Sequence, residues 1–133
     1  MFILVQLLAS SMFMGLLHAP PIEAETRTMI FDLRMPMSVG DRIVRESINQ
    51  GINPEVPLAI AFRESRMRPE AFNEDSGSMG LFQLMPHTVQ FLHVTRPFDA
   101  TQSTIAGVGL IAHWKRTCGS YRKALKAFKS GHC

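Results

Sequence analysis

The segment 53–69 constrains the fold more than any other part of this 133-residue chain. It contains the run VPLAIAF, which is apolar around most of a helix circumference, and other elements must cover such a helix. Pro54 and Glu55 favour a helix start, because proline fits the first helical position and an acid suits the first turn. Pro69 disfavours helical backbone just before it. The segment therefore predicts a central core helix that ends at residues 66–67.

Further helices follow from apolar spacing, caps and breakers. They are expected from Val39 after the N-cap Ser38 to the stop Gly51, with an apolar stripe of Val39, Ile43, Val44 and Ile48, from Pro86 to His93, from about Thr101 to Cys118, and after Ser120. Residues 73–80 form a turn-rich loop. No stretch alternates between apolar and polar side chains as a strand would. The chain is predicted to be all-α, with no substantial sheet.

The first seventeen residues carry no charged side chain. They are marginal for crossing a bilayer core of about 30 Å, but typical of the apolar part of a secretory signal. Residues 1–24 are therefore predicted to be a signal peptide or a retained N-terminal anchor, and 25–133 the functional domain. This places the protein in the periplasm or outside the cell, and at a membrane if the leader is retained.

The only two cysteines are Cys118 and Cys133. In an oxidising compartment a disulfide between them is expected, and closing that loop stabilises a fold by roughly 3 kcal/mol. Zinc binding with His113 or His132 is the alternative, but it lacks a second cysteine at short spacing. No metal or other cofactor is expected.

The positive charge of the chain is concentrated at its end. After Asp99 there is no acidic side chain, whereas six lysines and arginines follow. Such a segment suits an anionic polymer such as cell wall, an anionic membrane or nucleic acid, and the simplest alternative is a solvated helix face. Because no aromatic side chains alternate with these cations, nucleic-acid binding is not expected.

Glu64 lies where local physics disfavours a carboxylate. It is near the C-terminal end of its predicted helix, where the macrodipole is unfavourable to an anion, and its face is apolar one turn earlier. Both effects favour the protonated form, which a general acid requires, and Arg63 and Arg66 are expected to project to other faces. The alternative is an exposed carboxylate that pairs with Arg66 or Arg68, and an exposed ion pair of this kind contributes little to stability.

The loop after Glu64 carries groups that suit a sugar ligand. Gly77 and Gly80 have no side chain, so a polymer can approach the backbone there. The hydroxyls of Ser76 and Ser78 and the amide of Gln83 can each donate and accept hydrogen bonds. An ordinary capped turn is the alternative interpretation.

These motifs together resemble the soluble lytic transglycosylase family, whose fold is related to goose-type lysozyme. The pair Glu64-Ser65, the loop, and GLFQLMP over 80–86 are the most specific features. FDATQSTIAGVGLI and ALKAFKSG, over 98–111 and 124–131, are similar to two weaker family motifs. The resemblance covers about residues 50–131 and implies a small lysozyme-like helical domain with a cleft.

The resemblance also implies a reaction. The family cleaves the β-1,4 bond between N-acetylmuramic acid and N-acetylglucosamine in peptidoglycan and leaves a 1,6-anhydro product, with one glutamate as acid and base. Glu64 matches that glutamate, and Gly80 and Gln83 match parts of the glycan cleft. Ser78, through its hydroxyl, and Phe128, as a cleft wall, are also expected to bind the glycan. The expected partners are glycan strands and a secretion, conjugation or phage machine. The protein is expected to be a monomer that opens the wall locally for such a machine.

The chain departs from the family at positions that bear on activity. Phe128 stands where tyrosine is usual, and Lys129 stands where asparagine is usual. A wall-binding or assembly component with little catalysis is therefore one alternative. A hydrolytic muramidase is another, with Glu74, Asp75 or Asp99 as its second acid.

Overall fold

The computed structural model describes residues 37–133. Within them lie five helices, which are α1 Val39–Asn49, α2 Glu55–Ser65, α3 Pro86–Phe91, α4 Ala100–Cys118 and α5 Tyr121–Ser130. This part of the chain forms no sheet, and its extended pairing is limited to the isolated bridges Phe72–Met79 and Met79–Leu84. The all-α prediction is confirmed. The predicted leader, 1–24, lies outside the described residues.

Capping side chains fix where three of the helices begin. Ser38, Asp99 and Ser120 each accept a hydrogen bond from the backbone N–H three residues later. These bonds satisfy donors that the first turn of a helix leaves unpaired. Gly119 and Gly131 then end α4 and α5 in the left-handed conformation, at φ 79° and 76°. These boundaries agree with those predicted from the sequence to within about two residues.

The central helix is α4 rather than α2. It packs against α5, α1 and α2, whereas Phe62 of α2 is 54% exposed. The expectation for α1 was also partly wrong, because Ile43 is fully buried but Ile48 is 66% exposed. Five residues of helix correspond to about 140° of rotation, so these two side chains cannot share one face.

The loop between α2 and α3 is docked on α4 by close contacts. A Cβ atom at Gly107 would overlap the ring of Phe82, which is fully buried. The Ser103 hydroxyl accepts a hydrogen bond of 3.0 Å from the backbone N–H of Leu81, and both residues are buried. A Cβ atom at Gly80 would overlap the carbonyl oxygen of Pro97. The loop therefore has one tightly specified position beside α4.

The predicted disulfide is present. Cys118 and Cys133, fifteen positions apart, are bonded with a Cα–Cα distance of 5.6 Å. The bond joins the end of α4 to the segment after α5, so the last helix is closed into a covalent loop. Among residues 37–133, no helix combines the length and the apolar character needed to cross a membrane.

Candidate active site

A cleft of about 530 Å³ lies where α2, α3, α4 and α5 approach one another. Its walls expose more apolar than polar surface, which is typical of ligand sites. The lining residues are Glu64, residues 82–85, His87, Thr88, Phe91, Leu110, Trp114 and residues 127–131.

Glu64 lies in the last turn of α2 and lines the cleft. The hydroxyl of Ser65 is buried and donates to the carbonyl of Ala61 at 3.0 Å. Arg66 then adopts the left-handed conformation, at φ 55°, and stops the helix. The Glu64 side chain keeps an exposed fraction of 22%. An acid in this position is sheltered by the fold but open to a ligand.

Two cations contact the same oxygen of Glu64. Arg63 donates to Oε1 from Nε at 3.1 Å and from Nη2 at 2.8 Å. The Nζ of Lys129 lies 3.8 Å from that oxygen. The expectation that Arg63 projects away was therefore wrong, because its long side chain folds back along the helix surface to its neighbour. The partners are Arg63 and Lys129, not Arg66 or Arg68.

Gln83 also lines the cleft, but its amide group faces the loop. Its Nε2 donates to the carbonyls of Ala71 and Gly80 at 3.1 and 3.0 Å. Its Oε1 accepts from the hydroxyl of Ser78 at 2.8 Å. Its backbone has φ 48°, a left-handed conformation that costs a non-glycine residue energy. Gln83 thus ties the two sides of the loop together and shapes the cleft wall.

Ser78 and Gly80 do not line the cleft. Ser78 is buried, and its oxygen also accepts from Ser76 at 3.0 Å. The side of Gly80 that lacks a Cβ atom faces Pro97 and Ser103 in the interior. In this structure both residues support Gln83 and the loop, and their predicted contact with a glycan stays a prediction.

Aromatic side chains form much of the remaining wall. Phe128, the sequence candidate, lines the cleft and packs against the core. Trp114 and Phe91 also line it, and Phe91 is 80% exposed. Sequence reasoning missed these two, although a single tryptophan in the chain is a signal, since its ring prefers a boundary between apolar and polar surroundings.

The other candidate acids lie elsewhere. Glu74 and Asp75 are exposed in the loop, and Asp99 is the N-cap of α4. The backbone N–H of Gln102 lowers the pKa of the Asp99 carboxyl group from its ordinary value. Among the described residues that line the cleft, Glu64 is the only acid. The cleft therefore offers one carboxylate for proton transfer.

The chain is similar in sequence to known proteins. The family model described as "Transglycosylase SLT domain" matches residues 42–133, more than half of the chain. A transglycosylase of Enterobacteria phage PRD1 is 32% identical over 85 residues, which is 64% of this chain and 32% of the phage protein. The chain thus corresponds to about a third of the length of that relative.

Proposed function

Because this chain belongs to the transglycosylase SLT domain family, we propose that it is a peptidoglycan lytic transglycosylase. In this proposal it cleaves the β-1,4 bond between N-acetylmuramic acid and N-acetylglucosamine and leaves a 1,6-anhydro product. The observation that carries the proposal is the position of Glu64, which is the only acid among the described residues of a cleft with aromatic walls. The phage relative, itself a transglycosylase, supports the same activity.

The proposed mechanism uses Glu64 twice. Its carboxyl group first donates a proton to the glycosidic oxygen, and the bond from that oxygen to C1 of the muramic acid breaks. The sugar's own acetamido group assists at C1. The 6-hydroxyl of the same sugar then bonds to C1 and returns its proton to the Glu64 carboxylate. One group serves as acid and then as base, and no water is consumed.

Arg63 and the aromatic residues have supporting roles in this mechanism. Arg63 holds Oε1 with two hydrogen bonds, so Oε2 remains the oxygen for proton exchange with the substrate. Trp114 and Phe128 present apolar surface to the sugar rings. Gln83 keeps the loop wall in place through its bonds to Ala71 and Ser78. Effective catalysis depends on such fixed geometry.

The deciding experiment is digestion of purified peptidoglycan with the wild type, Glu64→Gln and the control Glu70→Gln. Glu70 is exposed and lies outside the cleft. Wild type and E70Q are expected to release fragments lighter by one water than hydrolytic products, and E64Q to release almost none. Products of hydrolytic mass would identify a muramidase instead. An inactive wild type that still binds the wall would identify a binding component.

We further propose that the protein acts outside the cytoplasm, where its substrate lies, as part of a secretion, conjugation or phage apparatus that opens the wall locally. The phage origin of the relative supports a phage context. The disulfide supports an oxidising compartment. Fractionation of cells that express the full chain, followed by blotting, tests the location, and recovery in the cytoplasmic fraction alone would contradict it.

A further inference from the structure

Helix α5 carries a row of cations along one exposed face. Arg122, Lys126 and Lys129 occur at positions i, i+4 and i+7, so they lie above one another on the same face. All three are exposed. At the rise of a helix the row is about 10 Å long. We call these three residues the α5 cation row.

Two of the three charges of this row have no acidic partner among the described residues. Within residues 37–133, Arg122 and Lys126 take part in no ion pair, and the pairs of that region are those of Glu64 with Arg63 and Lys129. No acidic side chain follows Asp99 in the sequence. A surface with one sign of charge concentrates ligands of the opposite sign near it. The row is therefore a surface for an anionic ligand.

The α5 cation row is continuous with the cleft. Lys129, Ser130 and Gly131 form part of the cleft wall, and Lys129 contacts Glu64. Lys126 and Arg122 follow one and two turns back along α5, away from that wall. Groups that project from a polymer seated in the cleft would therefore meet the row as they leave it.

We propose that the α5 cation row binds the carboxylates of the peptide stems on the strand that occupies the cleft. This inference rests on the proposed function, because it takes the cleft ligand to be peptidoglycan. Each muramic acid of that polymer can carry a short peptide with free carboxylates. Lysine and arginine bind such groups through charge-assisted hydrogen bonds. The row thus makes binding depend on the stems as well as on the sugars.

The surroundings of the row favour this ligand over a lipid bilayer. The apolar side chains of α5 point inward, since Ala124 and Ala127 are fully buried and Leu125 and Phe128 pack on the core. Among the described residues, no large exposed apolar side chain follows Ile105. A helix that lies in a membrane interface needs an apolar face to insert, and α5 has none to spare.

Nucleic acid is also disfavoured by the structure. Single strands bind to a basic groove that carries aromatic rings on which bases stack. The ring of Tyr121 is half-buried and lies 5.1 Å from the Nζ of Lys115. Phe128 faces the core and the cleft. No ring on this helix is placed between the cations for stacking.

The test compares binding to intact peptidoglycan sacculi and to glycan strands from which an amidase has removed the stems. The double variant Arg122→Gln/Lys126→Gln removes two charges outside the cleft. Arg45→Gln/Arg96→Gln is the matched control, because it removes two exposed charges outside α5. All proteins also carry Glu64→Gln, so that the polymer is not digested, and a urea unfolding curve checks that each is folded.

The α5 variant is expected to bind intact sacculi roughly fivefold more weakly than the control, since each exposed ionic contact contributes modestly. Its binding to stem-free strands should be unchanged. The difference should disappear in about 1 M salt, where the screening length is about 3 Å. Equal binding of both variants to intact sacculi would overturn the inference. Binding to phosphatidylglycerol vesicles is measured in parallel. If the α5 variant loses binding to these vesicles but not to sacculi, the row binds a membrane and the inference is overturned.

Failure of the proposed function gives a different result. A wild-type protein that binds sacculi in a stem-dependent way but releases no fragments would contradict the cleavage and leave the α5 cation row supported. If the wild-type protein releases anhydro fragments equally from both polymers, and R122Q/K126Q has no effect, only the proposed binding of stems by the α5 cation row is contradicted.

Discussion

Lys129, in the last turn of α5, reaches Glu64 at the end of α2, with 3.8 Å between Nζ and Oε1. Helices that are distant in the sequence therefore meet at the acid. Arg63 holds the same oxygen more firmly, through two hydrogen bonds. The charged group is thus anchored from its own helix and approached by a second cation from the C-terminal helix.

We predict that Arg63→Gln impairs activity more than Lys129→Gln. Loss of both Arg63 bonds frees the Glu64 side chain to rotate, and misplacement of a catalytic group costs roughly tenfold to a hundredfold in rate. Lys129 makes one long contact, and its loss should cost about twofold. Both unfolding free energies should change by less than about 1 kcal/mol, because the two side chains are more than half exposed. Rates of fragment release and urea unfolding measure both, and equal rates for the two variants would contradict the ranking.

Gly107 and Gly109 form a matched pair on α4. A Cβ atom at Gly107 would overlap Phe82, whereas at Gly109 it would meet nothing within 4 Å. Gly107→Ala should therefore destabilise the fold by about 1–3 kcal/mol through overpacking. Gly109→Ala should stabilise it by about 0.5–1 kcal/mol through helix propensity. Thermal unfolding of both variants checks this, and a shift of the same sign in both would count against the packing argument.

Gln83 combines a bonded amide with a strained backbone. Gln83→Ala removes the bonds to Ala71, Gly80 and Ser78 but keeps the left-handed backbone at φ 48°. It should destabilise the protein by about 1–3 kcal/mol. Gln83→Gly removes the same bonds and relieves the strain, so it should be more stable than Q83A by about 1 kcal/mol. Urea unfolding distinguishes them, and Q83A should prove the more stable only if the backbone is not strained.

The sequence predicts the helices, and the place of Glu64 near the end of one, well because these signals are local. Ser38 and Ser120 indicate helix starts because an N-cap side chain bonds to a backbone N–H only three residues later. The contacts that shape the cleft are not local. Neither the fit of Phe82 on Gly107 nor the inward amide of Gln83 leaves a periodic pattern, since each depends on segments brought together by folding. The sequence therefore predicts that the polar residues near Glu64 face the ligand, whereas in the structure Ser78 and Gln83 form hydrogen bonds within the loop.

The disulfide gives a stability prediction of its own. Cys118→Ser/Cys133→Ser should lower the free energy of unfolding by about 3 kcal/mol, because the open chain gains conformational freedom mainly in the unfolded state. A reductant should lower wild-type stability to a similar level and leave the variant unchanged. Because residues 127–131 form a wall of the cleft, fragment release should fall as well. A wild type that is indifferent to reductant would show that the bond does not stabilise the fold.

Asp99 gives a pH dependence whose sign follows from its pKa. The bond from the backbone N–H of Gln102 lowers the pKa of Asp99 in the folded state, and the charges of Arg96 and Arg42 act in the same direction. The native state therefore prefers the ionised group more than the unfolded state does. This stabilisation is complete above the ordinary pKa of 3.8 and is lost as the pH falls through the lower folded-state value.

Asp99→Asn keeps a side chain that caps helices but cannot ionise. In urea unfolding the wild type should be more stable than D99N at about pH 6, and the difference should shrink as the pH falls below 3.8. A difference that stays constant over this range would mean that the cap acts through shape alone and not through its charge.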